Sequence, residues 1–142
     1  MKILVPIDGS KSSMGAIQFA TEFARRYDTS LDVVHFRKEQ SEAGEEVLRK
    51  ARELLAEEAV DADLRIELDS DLKFRPGNRV GKLILQLVEE DEYDHVIMGH
   101  HGAGAVDNAM MGSATKRVSR AGRVPVTIVP NTYGVETRSD RD

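Results

Sequence analysis

The stretch His95–Val118 reads HVIMGHHGAGAVDNAMMGSATKRV, and its two ends carry different periods. Val96–Met98 is a short apolar run suited to a buried strand, whereas Ala114, Val118 and Ala121 recur on one helical face from residue 112 to 121. Between them, Gly99, Gly102, Gly104 and Gly112 permit positive φ angles and close backbone approach. The closing helix is expected to begin at Gly112-Ser113. Unbonded N–H groups at such a start, with the positive end of the helix dipole behind them, form an anion site, and a polyphosphate is the natural guest.

Working outward, Ile3–Ile7 is continuously apolar, the pattern of a strand covered on both faces of a parallel sheet. Asp8-Gly9-Ser10 ends it. Ser10 or Ser12 is placed to cap a helix in which Ile17, Ala20, Ala24 and Tyr27 follow helical spacing. Leu31–Phe36 reads as a second strand and Arg37–Gly44 as a polar, mobile loop. Val47, Ala51, Leu54 and Leu55 then form the stripe of a second helix, with Glu45–Arg49 and Glu46–Lys50 as i,i+4 pairs on its wet face.

Leu64, Ile66 and Leu68 alternate with Arg65, Glu67 and Asp69, a period of two that marks an edge strand. Asp69–Asn78 is expected as a loop, followed by a helix from about Arg79 to Glu90 with Val80, Ile84, Leu87 and Val88 inward. His95–Met98 is the fourth strand and Val124–Val129 the fifth, where Pro125 removes a ladder donor and favours a sheet edge or a subunit boundary. Strands alternating with helices predict an α/β fold, one three-layer domain with a five-stranded parallel sheet in the order 3-2-1-4-5 and helices on both faces. Ligands of such sheets bind where the connection direction reverses, between the first and fourth strands, and there Asp8-Gly9-Ser10 meets Gly99–Ser113.

The chain has 142 residues, 40% hydrophobic and 32% charged, with no cysteine. That length suits one domain without disulfides or a structural metal, and the missing thiols exclude cysteine catalysis and Cys-ligated zinc. No stretch approaches the length of a membrane span and no long apolar leader follows Met1, so a cytoplasmic protein is expected. A formal net charge of −5 without a block of basic residues argues against broad binding to a nucleic acid backbone. Asn131–Asp142 is polar, aperiodic and expected as a loose tail.

The glycine stretch fits neither common phosphate motif. Asp107 stands where the third glycine of G-x-G-x-x-G belongs, and Gly112-Ser113 has no lysine between its members. What it does carry is G-x2-G-x9-G-S, on Gly99, Gly102, Gly112 and Ser113. Together with LVPIDGS at residues 4–10 and VPVTIV at residues 124–129, this resembles the ATP-binding branch of the universal stress protein family over roughly residues 1–130. The resemblance implies a Rossmann-like domain of the adenine-nucleotide alpha-hydrolase type and the same strand order.

It also implies ATP, accompanied by Mg²⁺ or Mn²⁺, at Pro6, Asp8, Phe36, Met98, Gly99, Gly102, Gly112, Ser113 and Ala114. Asp8 matches the ribose-binding aspartate, Pro6 and Phe36 the adenine slot, and the glycines with Ser113 and Ala114 the phosphate loop. The plainer alternatives are that Asp8 is an N-cap or turn residue, Gly112 a hinge and Ser113 a cap. A ring at Phe36 either stacks on the base or narrows the pocket. His100 and His101 look like a metal pair, but adjacent residues share no face and no further ligand has sensible spacing. His35 and His95, on strands, read as satisfied structural histidines. No general base or arginine finger is evident for hydrolysis, so the expectation is a nucleotide-dependent stress-response module with slow or partner-dependent turnover at most. The family further implies a homodimer through Val124–Val129 and a regulatory protein partner.

Overall fold

The computed structural model describes residues 1–73, 76–100, 109–130 and 133, with side chains described for these except 71, 73, 76–78 and 109–111. Five parallel strands run in the order β3-β2-β1-β4-β5: β1 Lys2–Ile7, β2 Ser30–Arg37, β3 Ala62–Leu68, β4 His95–Gly99 and β5 Val126–Val129. The expected order is therefore the observed one. Alternating β3 lies at one edge and β5, preceded by Pro125, at the other.

The helices are α1 Lys11–Tyr27, α2 Glu42–Glu58, α3 Pro76–Glu90 and α4 Ala109–Ala121, with a 3-10 turn at Ser70–Lys73. Side chains alternate across each strand, so the sheet feeds two cores. Ile3, Val5, Ile7, Leu31 and Val33 pack with Ile17, Ala20, Ala51 and Leu55 of α1 and α2. Leu4, Val34, Phe36, Val96 and Met98 pack with Val80, Ile84, Val88, Ala114 and Val118 of α3 and α4. Among the described residues, no helix is long and apolar enough to cross a membrane.

Several local expectations change. The second loop shrinks to residues 38–41, because β2 runs to Arg37 and Ser41 caps α2 by accepting from the Gly44 N–H at 3.1 Å. The expected Asp69–Asn78 loop contains a 3-10 turn, and α3 starts at Pro76, a residue suited to the first helical position because its missing N–H would have no partner there. On α2, Arg49 bonds Glu46 and Glu53 instead of Glu45. Tyr27 and Ala121, expected inward, are exposed. The fifth strand begins at Val126, two residues after its expected start. Of the expected tail, only Tyr133 is described; it rests against Phe19 and bonds Glu22, while the remainder lies outside the described residues.

Candidate functional site

The carboxyl ends of β1 and β4 separate at the switch point. The β1–β4 ladder consists of Ile3–His95 and Leu4–Val96, although both strands continue beyond these pairs. On its other side, β1 pairs with β2 as far as Ile7–His35, passing through Pro6–Val34. Successive donors point to alternate sides of a strand, so the N–H that Pro6 lacks is the one that would extend the ladder toward β4. A single proline thus opens the centre of the sheet where the chain reverses its direction of winding.

Asp8 follows β1, and its Oδ1 accepts from the Ser10 N–H at 3.0 Å. The turn reading of Asp8 therefore describes one of its two carboxylate oxygens. Gly9 sits at φ +85°, in the left-handed region, beside Val47 of α2. Ser10 caps α1 by accepting from the Ser13 N–H at 3.1 Å, which decides between Ser10 and Ser12. Buried Ser13 closes the turn, its hydroxyl accepting from the Asp8 N–H at 3.3 Å and donating to the Ser10 carbonyl at 3.1 Å. The carboxylate is fixed on a rigid strand-to-helix corner.

On the opposite wall, Gly99 ends β4 against the first turn of α1. A Cβ there would lie 2.4 Å from Ser12 Oγ and 2.8 Å from the Ser12 carbonyl carbon, so no larger residue fits. Thr115, buried in α4, donates its hydroxyl to the Gly99 carbonyl at 2.9 Å. Ser12, Ser13 and Thr115 thus lock the site's frame although no motif singles them out. The available sequence signal is the run of small hydroxyl residues beside each glycine turn.

Gly112 contrasts with Gly99. A Cβ at Gly112 would meet nothing within 4 Å among the described residues, so their packing gives no reason for glycine there. The helix begins at Ala109, three residues before the expected start at Gly112. This corrects the expectation of unbonded amides at Ser113 and Ala114, because the first four N–H groups of a helix are the free ones and these two lie beyond residues 109–112. The methionines and alanine at 109–111, all good helix formers, extend the helix backwards through a region whose glycines suggested a loop. Ser113 is half-buried and Ala114 buried. Gly102 and His101 lie outside the described residues.

Pro6, Phe36 and Met98 are buried, Phe36 among Leu72, Val80 and Ile84 on the α3 side of the sheet. The ring is thus committed to the core beneath the expected adenine slot. Beside it, His35 Nδ1 lies 2.8 Å from the Ile7 carbonyl, which only accepts, so this nitrogen carries the proton and donates. Nε2 is buried without a hydrogen-bond partner among the described residues, which corrects the expectation of a fully satisfied histidine. Burial lowers its pKa, and Arg37 acts in the same direction, against the Ile7 carbonyl and Asp8. His95 is satisfied through Nε2, 2.8 Å from Thr127 Oγ1.

A hollow of about 620 Å³ lies at the other end of the sheet, but its lining sets Asp32, Asp61, Asp63, Asp91 and Asp94 against only Lys2 and Arg65 as cationic side chains. Five carboxylates repel a phosphate chain, so volume does not decide the site. Among the described residues there is no group of three or more histidine, aspartate or glutamate side chains arranged to hold a metal.

The family model for the universal stress protein family matches residues 1–130, the span that contains the β1 corner, the β4 glycine and α4. The chain belongs to the universal stress protein family. A universal stress protein of Methanocaldococcus jannaschii is 23% identical over 146 residues, covering 90% of this chain and 81% of the relative. The structure of the universal stress protein from Archaeoglobus fulgidus in complex with dAMP superposes with a TM-score of 0.69 at 19% identity, covering 91% of this chain and 97% of that one. A universal stress protein crystallised in complex with cAMP gives a TM-score of 0.65 at 21% identity, over 91% and 96% of the two chains. At such identities the structural likeness establishes the fold.

Proposed function

We propose that this universal stress protein binds ATP in the crevice between β1 and β4 and works as a nucleotide-dependent regulatory module in the cytoplasm. The observation that carries this reading is the crevice itself, opened by Pro6 and walled by Asp8 and Gly99 at the switch point. The solved relatives with dAMP and cAMP support an adenine nucleotide as occupant. Asp8 has an oxygen available for the ribose hydroxyls, Pro6, Phe36 and Met98 form the apolar bed for the base, and Gly99, Gly102, Gly112, Ser113 and Ala114 receive the phosphates.

For the amides of Gly112–Ala114 to reach phosphate, the first turn of α4 unwinds on binding. Gly112 suits this role: glycine weakens a helix by about 1 kcal/mol relative to alanine, and none of the described residues packs on the position to hold it. A divalent cation, Mg²⁺ or Mn²⁺, accompanies the triphosphate as its charge partner. The open edge of β5, where Ile128 is exposed, pairs with a second copy and forms the homodimer.

Titration calorimetry with ATP, with and without Mg²⁺, tests the reading. The wild type releases or absorbs heat with one site per chain, and Gly102→Val loses affinity by at least tenfold. No binding by the wild type, or a variant that binds equally well, refutes it and leaves a nucleotide-independent interaction protein of the same fold.

A further inference from the structure

The face of α4 away from the sheet carries cations that neither the fold nor the nucleotide crevice uses. A groove of about 500 Å³ between α3 and α4 is lined by Leu85, Ser113, Ala121 and the cations Lys116, Arg117, Arg120 and Arg123. Arg123 lies 3.6 Å from Glu89 at the rim. Lys116, Arg117 and Arg120 are exposed and have no acidic partner among the described residues. In a chain of formal net charge −5, four cations on one groove are a local reversal of sign.

One of them is held in place. A Cβ at Gly81 of α3 would fall 2.9 Å from both Cβ and Cδ of Arg117 and 3.2 Å from its Cγ. Glycine inside a helix is a cost, and here it makes room for the aliphatic stem of Arg117 to lie flat on α3 while the guanidinium stays at the groove. Part of the entropy that a ligand would otherwise have to remove from this side chain is already gone.

We propose that the α3–α4 groove docks an acidic segment of a partner protein, with Arg117 as its pre-positioned anchor and Arg120 and Lys116 beside it. The guanidinium fork matches a carboxylate in two-pronged geometry. The cations form a row instead of converging on a point: Lys116 to Arg120 spans about 6 Å at 1.5 Å per residue, and Arg123 extends the row past the end of α4. A row of that kind fits the spaced carboxylates of an extended segment better than one compact anion. A nucleic acid is disfavoured because no lining residue is aromatic and the rest of the chain is acidic. The inference rests on the reading of this protein as a module that meets a protein partner, and it does not require that ATP bind.

The test is fluorescence anisotropy of a labelled ten-residue glutamate-rich peptide with the full chain, without nucleotide, against the Arg117→Glu/Arg120→Glu variant. The wild type binds, its affinity falls with added salt, and the double variant binds at least tenfold more weakly while its ATP calorimetry matches that of the wild type. Gly81→Ala, checked by circular dichroism for intact helix, weakens the peptide several-fold by displacing Arg117. No binding by the wild type, equal binding by the double variant, or tighter binding of inorganic tripolyphosphate or a single-stranded RNA oligomer through the same arginines overturns the proposal. Loss of ATP binding by the wild type would instead strike the nucleotide reading and leave this one standing.

Discussion

The two ends of the sheet solve opposite problems. At the amino ends of the strands, polar groups are paired with each other: the Tyr93 hydroxyl donates to Asp32 at 2.5 Å, Arg65 to Asp91 at 3.1 Å, and the Lys2 N–H to Asp94 at 2.8 Å. Lys2 also reaches the Asp91 carbonyl at 2.8 Å while passing over the Tyr93 ring. At the carboxyl ends of β1 and β4 the contacts are glycine to α1, serine to backbone and histidine to backbone, and the ion pair of this pole, Arg79–Asp69 at 2.6 Å, lies aside from them beyond β3. One pole is closed by charge pairs and the other is framed by small residues around an opening. Ligand sites in this fold follow the second kind of end, where main-chain groups are left to be used.

The sharpest way to break this comparison is to fill the frame. Gly99→Ala sets a methyl against the backbone of Ser12, and urea unfolding should show a loss of about 3 kcal/mol, the upper part of the range for overpacking a tight site. A loss below 0.5 kcal/mol, roughly the scatter of a neutral surface change, would mean that α1 does not pack on β4 as described. At the opposite pole, Tyr93→Phe removes one buried hydrogen bond to a carboxylate and should cost about 1.5 kcal/mol without altering nucleotide affinity. A change in nucleotide affinity there would deny that the two ends are independent.

Gly112→Ala separates the two glycines. With open space around it and a helical backbone, the variant should be more stable than the wild type by about 1 kcal/mol, yet bind ATP more weakly because the first turn of α4 resists unwinding. Equal affinity would detach Gly112 from ligand binding. The smallest effect belongs to His35. Its folded-state pKa is lowered, chiefly by burial, so below the unfolded value of 6.5 the unfolded chain binds the extra proton. Its contribution to stability is therefore complete above that pH and is lost as pH falls through 6.5 toward the folded value. Denaturation midpoints at pH 7.5 and 5.5 should converge in His35→Asn, which keeps a donor for the Ile7 carbonyl but cannot titrate; an unchanged pH slope would show that His35 does not set it.

The topology was legible because burial writes itself into pattern. Continuous apolar residues in β1 and alternation in β3 distinguish a centre from an edge, and Pro125 favours an edge or a subunit boundary for the strand that follows it. Helix starts were harder. Pro76-Gly77 carries both a turn signal and a first-turn signal, and Ala109–Met111 are helix formers adjoining glycines, so local propensity pulled two ways. Arg49 was within reach of three glutamates on successive turns, and spacing alone does not choose among them.

At the site, Asp8 and Gly99 stand out through sequence because turns and close approaches demand particular residues. The importance of Pro6 for opening the β1–β4 ladder, and of Ser12 and Thr115 for clamping Gly99, depends on which strand lies beside which. No reading of one segment at a time contains that information. The contrast between Gly99 and Gly112 has the same origin: the two are identical in sequence, and only their neighbours tell that one is required for packing and the other is not.

The most direct test is a titration of isotopically labelled protein with ATP and Mg²⁺, followed by amide chemical shifts. The account predicts that the largest shifts fall on Asp8, Gly99 and Gly112–Ala114, with residues 109–111 losing their helical shifts as the turn unwinds. Shifts concentrated on Lys2, Asp32, Asp63 and Asp91 at the other pole, or no shift at saturating nucleotide, would contradict it.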